Sequence, residues 1–485
     1  MTSRVRALNI THVHPARTSD DPSPPGHGEH KLSFLDIVQM NKPPIQRVLF
    51  YDGPDLPPFP TMVTSLQASL AATLAAFLPL AGKLSFRPAA SGDVVFIDCS
   101  PAAVSSPGVK FVEAEFSGGV EEMRRLARAD EHDVEAFAQL VPEIEAARLP
   151  APVLAVQVTR PSWDGAGGGA VAVGVSILHA VADGHAVWQF MRAWSTAARE
   201  GSGSLAAAGL PPPTFDRASV RHPKADELVA TVLRVFAPAL PLLRPRSSSS
   251  TLDSTQQSRR TFVLRAGEIQ SLKQHIHQGM RAVTGAEPSR PPSTYVAISS
   301  LVWSSIVRAK AAAATRDADA DADAYFMVTS DCRRRLRPPL GDGFFGNCIL
   351  PFFARARAGD LRGDAGAARA AAAIGGAVRE HLEEPDGEPL LAVERCLEVY
   401  LAIPPGALTA VGSSHRFMAY RTDFGWGAPR RVELASVFGG DLVTLLDSRD
   451  GGAGAVQVSV ALDRAVMEAF VDYFVVPSST SGTGD

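Results

Sequence analysis

His179-Ala180-Val181-Ala182-Asp183-Gly184 directly follows the apolar, β-branched run Val171 to Leu178. That run has the length and composition of a buried strand, so the hexapeptide stands at the strand's mouth. A neutral imidazole placed there, close to its ordinary pKa, can take a proton from a substrate hydroxyl. His179 is therefore a candidate general base; the competing reading is a core histidine satisfied at a strand end. From Gly184 to Arg199 the pattern turns helical, which makes the unit strand, turn, helix.

Working outward, runs of period two alternate with helical patterns, the mark of a mixed α/β protein. Strands are expected at Val94–Ile97, Val153–Val158, Val171–Leu178, Thr261–Leu264, Phe326–Ser330, Val432–Val437 and Val456–Leu462. Helices are expected at Met62–Phe77, Val120–Ala129, Gly184–Arg199, Ala266–Gln278, Ser293–Ala311 and Arg464–Val475. Residues 200–224 open with Gly-Ser-Gly-Ser and contain Pro211-Pro212-Pro213, a composition that suits neither a regular helix nor a central strand. They divide the chain into an N-terminal domain, 1–199, a linker, 200–224, and a C-terminal domain, 225–485.

A second motif lies about 240 residues beyond the first: Asp423-Phe424-Gly425-Trp426-Gly427. It is too rich in glycine and aromatics for a helix. Together and in this order, the two motifs resemble the plant BAHD family of acyl-CoA-dependent acyltransferases. The resemblance spans nearly the whole chain. Leu32-Ser33-Phe34-Leu35-Asp36 with Pro44-Ile45-Gln46-Arg47-Val48-Leu49-Phe50-Tyr51 is similar to the family's N-terminal strand pair, and Leu66 to Leu84 to its first long helix and the turn after it. Asp331-Cys332-Arg333-Arg334-Arg335, Pro338-Pro339 and Phe344-Phe345-Gly346-Asn347-Cys348 resemble the branch that acylates anthocyanins and other phenolic glycosides. That branch usually has Tyr-Phe-Gly-Asn-Cys; here Phe344 replaces the tyrosine. The resemblance implies a two-domain, chloramphenicol-acetyltransferase-like α/β fold with mixed sheets and the active site between the domains.

Bulk properties fit an enzyme. With 485 residues, 46% apolar and 20% charged, the chain can bury two cores. A net charge of -4 supplies no basic field for nucleic acid. The first 25 residues lack the apolar stretch of a secretion signal, and the longest apolar run, Leu70 to Ala81, is interrupted by Pro79 and too short for a bilayer. Cys99, Cys332, Cys348 and Cys396 are widely spaced with no Cys-x-x-Cys, which disfavours a zinc site or a disulfide framework and suits a reducing cytosol. A cytoplasmic monomer without nucleic-acid, membrane or metal partners is the expectation.

Two other patterns mislead. Asp317 to Ala324 spaces carboxylates like a calcium loop, but Ala322 and Val328 stand where the required Gly and Glu belong. Gly341-Asp342-Gly343-Phe344-Phe345-Gly346 matches a dinucleotide fingerprint without the preceding strand or following helix. Ser247–Ser250 and Gly165–Gly169 read as surface turns. No Gly-x-Ser-x-Gly elbow of an α/β-hydrolase is present.

Acyl transfer from a thioester to an alcohol or amine needs a base for the acceptor proton and stabilisation of the resulting oxyanion. His179 is the expected base. Because CoA thiolate leaves readily, the cysteines need not be nucleophiles. Asp183 either orients His179, as carboxylates do in triads, or turns into the fold; the resemblance implies the second, with Arg333 as its partner and Gly184 beside it. Asp423 is taken as a second catalytic residue, with Gly425 and Gly427 permitting a tight turn; the resemblance implies the competing reading, in which much of the motif lies away from the acceptor as a structural element beside the CoA tunnel. The Trp426 indole is a possible oxyanion donor, and the competing reading satisfies that N–H on backbone. Acyl-CoA is the co-substrate, with no bound cofactor. Ser293 and Thr294, at a helix start, and Arg416 resemble positions near CoA.

The branch resembled uses malonyl-CoA or hydroxycinnamoyl-CoA. Malonyl transfer to a hydroxyl of a flavonoid or other phenolic glucoside is the favoured expectation, with hydroxycinnamoyl transfer to oxygen or nitrogen as the alternative. A malonyl carboxylate needs a cation in the pocket, whereas an aromatic acyl group needs apolar surface. A carrier-dependent condensation domain shares a related core but has a second histidine where Leu178 stands. A non-catalytic binding module of the same family is the third reading; the intact His179, Asp183 and Asp423 argue against it.

Overall fold

The computed structural model describes residues 3–16, 26–88, 92–162, 169–201, 209–243, 257–285, 290–314, 319–383, 389–436 and 441–477. The chain divides into two compact units that are not continuous in sequence. The first comprises residues 1–249, 331–349 and 417–437, and the second residues 250–330, 350–416 and 438–485.

The first unit is built on a six-stranded mixed sheet whose order is Val5–Val13, Val109–Phe116, Leu154–Pro161, Gly169–Ile177, Ile45–Gly53 and Arg431–Leu434. Gly169–Ile177 occupies an inner position, antiparallel to Ile45–Gly53 with Ile45 opposite Ile177 and Tyr51 opposite Val171. Every residue of that strand after Gly169 is buried, which explains why it reads as a continuous apolar run. On Ile45–Gly53, Val48 and Phe50 pack with Val120, Met123 and Phe137 from the helices Val120–Arg128 and Val134–Gln139. Helix Gly184–Glu200 packs on helix Phe59–Ala76, with Phe190 edge-on to Phe77 at 5.8 Å. Asp183 caps the first of these helices, its Oδ1 accepting from the Ala186 N–H at 3.0 Å, and Gly201 ends it with φ +64°. A smaller sheet of order Gly28–Lys31, Val94–Cys99, Lys83–Arg87 and Ala151–Pro152 belongs to the same unit.

The second unit carries its own mixed six-stranded sheet, ordered Gln257–Leu264, Val456–Asp463, Asp441–Asp447, Leu408–Val411, Asp323–Asp331 and Ile349–Arg357. Helix Thr294–Ala313 runs through its core, burying Ile298, Val302, Trp303 and Ile306 against the helices Gly366–Val378 and Arg464–Tyr473. Among the described residues this is the one helix long and apolar enough to cross a membrane; 67% of its apolar window is buried inside the unit, as in a core helix.

Three expectations change. Leu32–Asp36 does not form a strand: Ser33 and Asp36 make a reciprocal capping box, and Phe34–Ile37 is a short helix. A contiguous division with a linker at 200–224 differs from the compact units, because the later segments 331–349 and 417–437 return to the first unit, the latter adding the edge strand Arg431–Leu434 to Ile45–Gly53. The described part of that linker is built into the unit rather than joining two, since Thr214 bridges to Phe344 and the Arg217 side chain is buried. Of the low-complexity pieces, Ser247–Ser250, residues 165–168 and Asp317 lie outside the described residues; strand Asp323–Asp331 begins within the acidic run.

Candidate active site

His179 lies two residues beyond Ile177, the last residue of its strand, and its side chain is half-buried. Its Nδ1 is shut away from solvent with no hydrogen-bond partner among the described residues, leaving Nε2 as the nitrogen that can meet a substrate. Desolvation, reinforced by the Lys42 ammonium, pushes the imidazole pKa down to about 4. A histidine so placed is neutral at physiological pH and has a free lone pair, as a general base requires.

The loop carrying His179 is held from behind. Asn347 Nδ2 donates to the His179 carbonyl at 2.8 Å and to Asp36 Oδ1 at 2.9 Å, while the Asn347 N–H reaches the same Oδ1 at 3.0 Å. The other Asp36 oxygen accepts from Ser33 Oγ at 2.8 Å and from Arg217 Nε at 3.1 Å. Arg217 in turn donates through Nη2 to the Val181 carbonyl at 3.0 Å, so the loop is tied at both His179 and Val181. Asp36 and Asn347 are fully buried, and each carboxylate oxygen has its donors, which makes burial of the charge tolerable. Asp36, Arg217 and Asn347 were not among the residues expected at the site from sequence. The signals were present as the Ser33-x-x-Asp36 cap and the Asn of Phe-Gly-Asn-Cys, but nothing in one dimension joins position 36 to positions 217 and 347.

Asp183 faces away from the imidazole. Its two oxygens take Arg333 Nη1 at 2.9 Å and Nη2 at 3.0 Å, and also the Cys348 and Ala186 N–H groups, each at 3.0 Å. Burial works to raise the Asp183 pKa, but the Arg333 guanidinium and the two amides outweigh it and hold the carboxyl below its usual range. Arg333 is further fixed by the Gly346 and Phe344 carbonyls, at 2.9 and 3.3 Å, and by Asp331 at 3.2 Å. A Cβ on Gly184 would lie 2.9 Å from the Phe417 ring, so a larger residue there would require the ring to shift.

The Asp423–Gly427 segment belongs elsewhere in the unit. Asp423 Oδ1 accepts from the N–H groups of Gly425 and Gly427, both at 2.8 Å, and the two glycines have φ of +96° and +83°. This is a carboxylate closing its own turn. Trp426 stands edge-on to Tyr51 at 5.3 Å, and Tyr51 donates to the Thr422 carbonyl at 2.9 Å. Tyr51 is six residues along its strand from Ile45, the end at which His179 emerges, about 20 Å at the rise of an extended chain. Asp423 thus closes its own turn and Trp426 packs on Tyr51, both beside the end of strand Ile45–Gly53 opposite to the one from which His179 emerges.

Ser293, Thr294 and Arg416 lie in the second unit. Ser293 Oγ caps helix Thr294–Ala313 by accepting from the Val296 N–H at 3.2 Å; Arg416 is exposed, with its N–H on Ser414 Oγ at 3.3 Å. All four cysteines are free and buried, and burial pushes the Cys396 thiol up to about 11, Cys99 to about 12 and Cys348 upward as well. Protonated thiols are poor nucleophiles. No cluster of metal-ligating side chains occurs among the described residues.

Two sheet-based α/β units, the first with a desolvated histidine at the end of an inner strand, are the mixed-sheet, two-domain architecture that the resemblance to acyltransferases implies. Residues 13–475 match the Transferase family. The chain is 29% identical over 486 residues to a malonyl-coenzyme:anthocyanin 5-O-glucoside-6'''-O-malonyltransferase of Salvia splendens, covering 98% of this chain and 96% of that protein. It is 26% identical to phenolic glucoside malonyltransferase 1 of Arabidopsis thaliana, covering 97% of each. Among solved structures, vinorine synthase superposes with a TM-score of 0.69 at 20% identity, covering 98% of this chain and 99% of that one. F. sporotrichioides TRI101 complexed with coenzyme A and T-2 gives 0.63 at 18% identity over 92% and 97% of the two chains. The protein belongs to the Transferase (BAHD) family and is an acyl-CoA-dependent acyltransferase, similar along nearly its whole length to malonyltransferases of anthocyanin and phenolic glucosides.

Proposed function

We propose that this enzyme transfers a malonyl group from malonyl-CoA to a sugar hydroxyl of a flavonoid, anthocyanin or other phenolic glucoside, with His179 as general base. The observation that carries the catalytic part is the neutral, half-buried imidazole at the end of strand Gly169–Ile177. The malonyl donor and glucoside acceptor are supported by relatives named as malonyltransferases of anthocyanin and phenolic glucosides, aligned along nearly the whole chain.

His179 Nε2 removes the proton of the acceptor hydroxyl as its oxygen attacks the thioester carbonyl. The tetrahedral oxyanion collapses, the C–S bond breaks, and CoA leaves as a thiolate that recovers the proton from the imidazolium. A base of this kind is worth about 10²–10⁴-fold, and holding both substrates in register supplies a comparable or larger share. Ser293, Thr294 and Arg416 contribute to holding CoA in this reading, and Asp183 and Arg333 to holding the loop. The enzyme works as a cytoplasmic monomer without bound metal, a compartment that suits four free thiols.

The test is initial-rate kinetics with malonyl-CoA and a panel of phenolic glucosides, following thiol release. Direct attack in a ternary complex gives intersecting lines when donor is varied at several acceptor concentrations. Parallel lines, with one acyl mass added to protein incubated with donor alone, overturn the mechanism. Release with hydroxycinnamoyl-CoA and none with malonyl-CoA overturns the donor assignment.

A further inference from the structure

We infer that Lys42 is the specificity-determining residue for the acyl donor, its ammonium receiving the free carboxylate of a short dicarboxylic acyl-CoA. The assignment rests on the malonyl-donor reading above and adds to it the residue that reads the charge.

The ladder between Ile45–Gly53 and Gly169–Ile177 ends on the pair Ile45 and Ile177. Lys42 lies three residues before that end and His179 two residues past it, so both overhang the same edge of the same two antiparallel strands. Extending the register puts position 43 opposite 179. The backbone at Lys42 is fixed on both sides: its N–H donates to the Gln39 carbonyl at 3.1 Å, and Pro43-Pro44 follow at once. A flexible four-carbon stem thus swings an ammonium from a rigid mount beside the base, and its charge is felt there as a depression of the His179 pKa.

Charge balance around the base selects the ligand. Asp183 is neutralised by Arg333 and Asp36 by Arg217. Lys42 has no ion-pair partner among the described residues, and its side chain reaches solvent. The loop therefore presents one uncommitted positive charge. In a malonyl thioester a single methylene separates the carboxylate from the reacting carbonyl, so a cation that reads it must stand next to the base. An acetyl group offers no such anion, and a hydroxycinnamoyl group places a ring there instead. Desolvation pushes the Lys42 pKa down to about 8, which still leaves the ammonium mostly charged at neutral pH.

Calorimetric titration of the whole protein with malonyl-CoA and with acetyl-CoA, without acceptor, tests this independently of the sugar. The expected result is that wild type prefers malonyl-CoA by about 10- to 100-fold in Kd, the factor one charge-assisted hydrogen bond supplies. Lys42→Met should lose that preference, and Lys42→Arg should keep most of it. Thermal melts establish that each variant is folded. A wild-type preference that survives Lys42→Met overturns the Lys42 assignment while leaving the malonyl reading intact. A wild type with no preference overturns both.

Discussion

The Arg333 guanidinium holds both oxygens of the Asp183 carboxylate at 2.9 and 3.0 Å, across 150 residues of sequence, with neither side chain more than 1% exposed. The pair locks the start of helix Gly184–Glu200 to the segment 331–349, and the base-bearing loop enters that helix. Removing one member leaves the other charge buried and unpaired. Asp183→Asn and Arg333→Met should each destabilise the fold by about 3–5 kcal/mol. The double variant should lose less than the sum of the two, because the shared penalty is incurred once. Denaturant melts of the three variants measure this; strictly additive losses would mean the two residues act separately.

His179→Ala should behave oppositely. The imidazole has no hydrogen-bond partner at Nδ1 among the described residues and is only half-buried, so its loss removes little packing. Acyl transfer should fall by about 10²–10⁴-fold with the thermal midpoint almost unchanged. Turnover near wild type would remove His179 from the mechanism.

Asn347 stands between these extremes, since its amide joins the His179 carbonyl to Asp36. Asn347→Ala should lower kcat by about 100-fold, through misplacement of the base on the scale of an ångström, with KM for the donor little affected. Asn347→Asp should be worse in stability, because it puts a second carboxylate beside buried Asp36. A KM effect without a kcat effect would contradict a positioning role.

The sequence carried the strand-to-helix unit around His179 because local patterning decides it: a both-faces-buried strand is apolar throughout, and the helical pattern begins at Gly184; that Asp183 caps the helix is seen only in the structure. It was misleading where a partner is distant. The resemblance implies a strand at Leu32–Asp36, whereas the Ser33–Asp36 capping box starts a short helix there. Arg217 falls in a Pro- and Gly-rich stretch with the composition of a linker, yet its guanidinium is buried on Asp36. Trp426 and Asp423 have the residue chemistry of an active site, and only the register of strand Ile45–Gly53 shows that Trp426 packs on Tyr51, six residues along the strand from Ile45.

That register yields a further expectation. Trp426→Phe should keep most of its turnover, because the ring packs on Tyr51 far from the base. Asp423→Ala should lose its two turn hydrogen bonds and about 1–3 kcal/mol of stability. Any fall in its activity should track the unfolded fraction and be recovered at lower temperature. A folded Trp426→Phe enzyme with kcat reduced as far as His179→Ala would restore the oxyanion role.

The pH dependence follows from the depressed pKa of His179. As a base it must be neutral, and with a pKa pushed down to about 4 it stays neutral throughout the physiological range. The acid limb of kcat/KM for a donor whose own charge is constant should therefore have its midpoint near pH 4, well below the ordinary histidine value of 6.5. Stability moves in the same direction. Between the two values the unfolded chain binds a proton at this position that the folded chain does not, so lowering the pH favours unfolding. The His179 contribution is complete above about 6.5 and is lost as pH falls to about 4. Comparing pH melts of wild type and His179→Gln isolates it: the variant should be less acid-sensitive across that window. Equal acid sensitivity, together with an acid limb in the rate near 6.5, would mean that the imidazole is solvated like a free histidine and that burial does not tune the base.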